Sequence, residues 1–248
     1  MKASPEIKFV FTSNHLESEL PFSIQTITDA TVTTNAYLKE LPTFFGTSVH
    51  SFYSTLNQRN LSGFIGEVFK HALSSIDSEL VPNPHPDGRP DVLVIREPEV
   101  SSYYDSCFRA EDNAPLREKF APFQYGGVEI KCSIGNITKA SQFDIGDSRV
   151  SKVTGITYWA HHAHECNLLG IYYDYCEHNE KNPQIKAITY AKICEDDWNA
   201  VSTGRPDSKK TSNTSINKKG VAKLKTGLLM HSDEDLYVDN LQRIRFLP

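Results

Sequence analysis

The sequence predicts an α/β fold, a central mixed β-sheet flanked by helices. Three observations carry this. Residues 60–77 hold an unbroken helical stripe of apolar positions. Four short runs rich in β-branched and aromatic residues follow it, each of strand length. The two kinds of segment alternate along the chain, in the order helix, strand, strand, helix, strand, strand.

Residues 1–50 contain IKFVF and SIQTITDATVTT, alternating segments that predict strands and form an N-terminal extension. In NLSGFIGEVFKHALSSID, Leu61, Phe64, Ile65, Val68, Phe69, Ala72, Leu73 and Ile76 recur at i, i+3, i+4, i+7 and specify a helix. Glu67 lies off that stripe, beside Gly63 and Lys70. The proline-rich VPNPHPDGRP is a loop, and it runs into DVLVIRE, a buried strand from Asp91 to Glu97. Residues 98–125 are polar, aromatic and irregular, and read as an insertion. GGVEIKCSI (Gly126–Ile134) is a second strand. Residues 148–166 suit a helix, with Val150, Val153, Thr157, Ala160 and His164 along one line. NLLGIYYDYC and IKAITYAKIC are two further strands. Residues 196–248 form a lysine-rich C-terminal part whose ending carries no clear pattern.

With 248 residues, 39% of them hydrophobic and 23% charged, the chain can bury a core without disulfides or a structural metal. Its five cysteines are widely spaced and contain no C-x-x-C, which argues against a disulfide framework or a common zinc module. No segment has the roughly 20 apolar residues of a membrane span, and no signal-peptide pattern opens the chain, so the expectation is a cytoplasmic protein with no membrane partner. No phosphate-cradling glycine loop, dinucleotide fingerprint or nucleophile elbow occurs, so no nucleotide cofactor is expected. Net charge is −5, yet seven basic residues and one acidic residue lie between Arg205 and Lys225, a local stretch able to meet phosphates.

The chemistry concentrates in Pro90-Asp91 at the head of one strand and Glu129-Ile130-Lys131 inside the next. Residues i and i+2 of a strand share a face, so Glu129 and Lys131 point one way and Ile130 points to the core. Neighbouring strands lie about 4.8 Å apart, which lets Asp91 and Glu129 share a hard cation such as Mg²⁺. A lysine beside that pair can position the attacking water or stabilise charge on a phosphorane-like transition state.

A Pro-Asp opening a strand, with Glu-x-Lys on the next, resembles the PD-(D/E)XK nuclease superfamily, to which type II restriction endonucleases belong. The resemblance covers roughly residues 60–195 and implies a restriction-endonuclease-like core. It makes Asp91 and Glu129 metal ligands, the Ile130 carbonyl a backbone ligand, Lys131 the residue beside the nucleophilic water, and Glu67 an auxiliary carboxylate. It further implies Mg²⁺-dependent, sequence-specific hydrolysis of double-stranded DNA by a homodimer. A structure-specific repair or recombination nuclease of the same fold, or an inactive DNA-binding module, is the alternative. The 37 residues between Asp91 and Glu129 require an insertion to be looped out, and Asp87 is a rival aspartate in PDGRPD. Ser133, Asn136, Thr138 and Lys139, just past the E-x-K strand, are either phosphate contacts or turn residues. Lys209, Lys210, Lys218 and Lys219 are candidates for DNA backbone contact. In WAHHAHEC, His161 with Glu165 and His162 with Cys166 have helical i, i+4 spacing; without a second cluster they read as histidines that contact a partner or cap buried polar groups, rather than as a zinc site. Cys132 is expected to face away from Lys131 into the core.

Overall fold

The structure is a computed structural model that describes residues 8–12, 19–120, 125–138, 144–176, 181–202 and 213–248. The described elements run β1 (Phe9–Phe11), α1 (Ile24–Phe44), α2 (Val49–Ser54), α3 (Gln58–Ile76), β2 (Leu80–Pro82), β3 (Val92–Val94), α4 (Pro98–Asp105), α5 (Arg117–Phe120), β4 (Glu129–Ser133) and β5 (Asn136–Ile137). They continue with β6 (Val153–Gly155), β7 (Trp159–Ala160), β8 (Cys166–Tyr175), β9 (Pro183–Ile193), β10 (Thr214–Ser215), α6 (Lys218–Thr226), β11 (Leu228–Ser232) and α7 (Asp235–Arg243).

The central sheet is mixed and five-stranded, in the order β1-β11-β9-β8-β4. Only β4 and β8 run parallel; the other pairings are antiparallel. Both faces are covered. In β8, Leu169, Ile171 and Tyr173 face one apolar cluster with α1 and α3, while Leu168 and Tyr172 face a second cluster with Tyr158, Trp198, Leu224 and Leu241. A strand buried on both faces reads as a continuous apolar run, which is why NLLGIYYDYC was legible as one. Among the described residues no helix is long and apolar enough to cross a membrane.

Helix α3 forms where the stripe places it, and Leu61, Ile65, Phe69, Ala72 and Leu73 are its buried residues. Asn57 caps it by accepting the Asn60 N–H at 2.9 Å. Three expectations fail. SIQTITDATVTT belongs to helix α1, not to a strand. Ser23 caps α1, and Ile27, Ala30, Thr31, Thr34 and Leu38 are buried at helical spacing. Thr28 and Thr31 satisfy the helix rather than oppose it, each hydroxyl donating to the carbonyl four residues back at 2.8 Å. Packing against α3 and β9 overrides the β propensity of the segment.

Residues 148–166 are not a helix: they give one 3₁₀ turn at Val150–Lys152, then β6 and β7. The buried carboxylate of Asp174 explains the turn. It accepts the N–H groups of Arg149 and Val150, each at 3.0 Å, and the Ser148 hydroxyl at 2.8 Å, and so caps one turn and ties it to β8. Beyond it, Val153, Ile156, Tyr158 and Ala160 are buried in an extended chain. The insertion also has structure. Helices α4 and α5 bring Tyr104, Cys107 and Phe120 onto Leu93, forming a small third cluster over the β2–β3 hairpin.

The C-terminal part is largely structural. Strand β11 lies between β1 and β9 and is buried throughout. Helix α6 is pinned by Lys223, whose ammonium bonds the buried Asp197 carboxylate and donates to the Lys192 carbonyl at 3.1 Å. Burial works to raise the Asp197 carboxyl, but the Cys194 N–H and Lys223 outweigh it and hold the group below the usual carboxylate range.

Two predictions test this architecture. Leu229→Ala, in the cluster beneath α1 and α3, costs about 2–5 kcal/mol in urea denaturation, whereas the exposed Lys219→Ala stays within about 0.5 kcal/mol of the parent. Asp197→Asn is less stable than the parent at neutral pH. Because the folded-state pKa lies below the unfolded one, this contribution is complete above about pH 4 and is lost as pH falls through the depressed value. Denaturation midpoints of parent and variant therefore converge in acid.

Candidate functional site

Strands β3 and β4 meet at a single bridge, Val92 with Val128, through two backbone hydrogen bonds of 3.0 and 2.9 Å. Beyond it the ladder stops, and β4 has β8 on one side only. The Ile130 N–H therefore faces an open edge, and the Asp91 carboxylate takes it: Oδ2 accepts at 2.7 Å. The N–H and C=O of one residue face the same side of a strand, so the Ile130 carbonyl looks onto the same edge as Asp91. Gly127 makes this approach possible. Its φ is +100°, and a Cβ there would lie 2.3 Å from Pro90 Cγ and 2.5 Å from the Val92 carbonyl oxygen.

Glu129 and Lys131 share one face of β4, and Ile130 packs into the cluster beneath α3, as expected. Lys131 Nζ donates to Glu129 Oε1 at 2.6 Å and lies 3.6 Å from Asp91 Oδ2. Burial opposes the charge on Lys131, but the Glu129 and Asp91 carboxylates more than offset it and raise its pKa, so the ammonium is retained. Withdrawal from water raises the Asp91 carboxyl above its ordinary range; Lys131 opposes this and Glu129 reinforces it. Glu129 is 5% exposed, and its Oε2 is buried without a hydrogen-bond partner. An orphaned carboxylate oxygen beside a second carboxylate and an edge carbonyl fits a hard cation. Among the described residues no three His, Cys, Asp or Glu side chains gather to hold a metal by themselves. Two carboxylates and a carbonyl are a small complement, and a cation held there would complete its shell with water or phosphate oxygens.

The site opens into a cleft of about 1340 Å³. Glu67 lines it, but its carboxylate is exposed and ion-paired to Lys70 at 2.7 Å. Asp87 also lines the cleft and lies 4.0 Å from Arg117, whereas Asp91 is the aspartate beside Lys131, at 3.6 Å. Ser133 and Asn136 border the cleft; Ser133 Oγ also accepts the Gly135 N–H at 3.1 Å, a turn role. Thr138 is exposed. Lys139, Lys209 and Lys210 lie outside the described residues. Lys218 lines a separate groove of about 580 Å³ bordered by Lys225 and Phe246, and Lys219 is 3.8 Å from Asp196. The structure does not bring either of these lysines to the cleft.

Besides Lys131, the cleft's cations are Arg59, Lys70, Arg89 and Arg117, delivered by α3, the loop before β3, and α5. Sequence reasoning missed them because they are scattered singly; Arg89, two residues before Asp91, carried the only local signal. The helical i, i+4 spacings noted among the histidines lapse, since no helix forms there. His164 nevertheless reaches the site. Its ring stacks on Trp198, with centroids 5.6 Å apart, Nδ1 donates to the His162 carbonyl at 2.9 Å, and Nε2 lies 3.9 Å from Glu129 Oε1. Burial depresses its basicity against the pull of that carbonyl and of Glu129. Cys132 faces α3, 3.6 Å from where a Gly66 Cβ would lie, and burial pushes its thiol far up. It faces away from Lys131, as expected, but it is only partly buried against the core and also borders the cleft. Compared with known protein families, curated proteins and solved structures, the chain matches none.

Gly127→Ala tests the geometry. The backbone conformation costs about 1–3 kcal/mol for a residue with a Cβ, and the collision with Pro90 and Val92 adds a similar amount. Thermal unfolding of the variant shows a lowered midpoint.

Proposed function

We propose that this chain is a Mg²⁺-dependent endodeoxyribonuclease of the PD-(D/E)XK kind, with a restriction-endonuclease-like core. The observation that carries the reading is the meeting of Asp91, Glu129 and Lys131 at one strand edge, with Lys131 Nζ 2.6 Å from one carboxylate and 3.6 Å from the other. The residues arrive in the order the resemblance requires: helix α3, Pro90-Asp91 at the head of β3, then Glu-x-Lys on β4.

Asp91, Glu129 and the Ile130 carbonyl hold the cation. Bound there, Mg²⁺ supplies Lewis-acid polarisation of a phosphodiester oxygen and a water of lowered pKa. Lys131, kept protonated by both carboxylates, places a positive charge where the transition state gains negative charge. Arg59, Arg89 and Arg117 line the cleft and bind backbone phosphates, so binding weakens as salt rises. Specificity for a duplex sequence and action as a homodimer complete the restriction-type reading.

The test is incubation of the purified protein with phage and plasmid DNA in Mg²⁺ or EDTA. Discrete fragments form in Mg²⁺ and none in EDTA. Lys131→Ala and Asp91→Ala each lower the cleavage rate by about 10²–10³-fold. Arg89→Ala weakens binding across all sequences and reduces the salt slope by about one. Intact DNA under every condition, or undiminished cutting by Lys131→Ala, sinks the reading. Cleavage confined to branched or gapped DNA replaces restriction with structure-specific repair.

A further inference from the structure

Trp159 is 57% exposed, against the usual burial of tryptophan. The pairing of β7 with β10 holds it there: Trp159 opposes Ser215 and Ala160 opposes Thr214. Alternation then buries Ala160 and leaves Trp159 exposed, bordering the cleft that holds Asp91, Glu129 and Lys131. Among the described residues, no aromatic ring stacks on the indole and no hydrogen bond engages its N–H.

The surroundings say what such a surface receives. His161 and His162 follow it on the same cleft wall. Burial, Arg89, His161 and Arg117 together lower the basicity of His162, and both arginines line the same cleft. An open aromatic face bordered by cations is the chemistry that binds an unstacked nucleobase: the cations track the phosphates and the ring takes the base. An apolar protein partner would instead leave those charges desolvated and unpaired.

We propose that the Trp159 indole is the stacking platform for one unstacked base, so that the preferred substrate is DNA presenting an unpaired or extruded base to the cleft. This rests on the nuclease reading for its substrate, and deepens it.

The experiment measures binding in EDTA, where no cleavage intervenes. Two duplexes are compared by fluorescence anisotropy, one fully paired and one carrying 2-aminopurine opposite an abasic site. The parent protein binds the unpaired duplex more tightly and quenches its 2-aminopurine. Trp159→Ala loses about tenfold or more in affinity for that duplex, with little change for the paired one. Trp159→Phe restores most of the loss, and unchanged thermal midpoints show that both variants are folded. Equal affinity of the parent for the two duplexes, or an equal loss on both in Trp159→Ala, overturns the platform. Mg²⁺-dependent cutting by the parent is scored separately. Cutting with no Trp159 dependence of binding removes the platform and leaves the nuclease; a Trp159-dependent preference without cutting does the reverse.

Discussion

One unpaired backbone group organises the site. The hairpin of β2 and β3 touches β4 at one bridge and then departs, which leaves the Ile130 N–H without a strand partner. A buried or half-buried amide without an acceptor is costly, and the Asp91 carboxylate removes that cost. The same contact sets Asp91 against the face on which Glu129 and Lys131 stand. Two carboxylates so close repel each other, and the Lys131 ammonium between them makes the arrangement tolerable. Structure and chemistry are therefore one constraint: the carboxylate that repairs the broken ladder is also the one aimed at the open edge.

How much of this was legible depended on what each segment packs against. The strands of the core were readable because they are buried on both faces, and α3 because its stripe is uninterrupted. Glu129 and Lys131 could be placed on one face from strand period alone. Helix α1 was not legible, since its threonines favour strands and only contacts with α3 and β9 select the helix. Nor was the turn after Ser148, which depends on a carboxylate 25 residues later in the chain. Strand β11 was hidden by the lysines before it and by its short length.

Charge was misplaced for a related reason. The eye is drawn to contiguous runs such as Arg205–Lys225, whereas the cleft collects Arg59, Arg89 and Arg117 from three separated elements. Local potential follows spatial assembly, and a chain of net charge −5 can still gather arginines from distant segments into one cleft. His164 belongs to the same category. Its place beside Glu129 comes from stacking on Trp198, a residue 34 positions away.

The position of β11 bears on how the molecule comes into being. It separates β1 from β9, so completing the sheet unites residues near 10 with residues near 230. Contacts of such long range form slowly. During ribosomal synthesis β9 emerges well before β11, and its outward backbone edge stays open to pairing with other chains. Strand β4, which carries Glu129 and Lys131, stands at the far side of the sheet, next to β8, and needs nothing from β11 to pair. The hazard of the nascent chain and the open edge that Asp91 meets in the finished one thus lie on opposite margins of a single sheet.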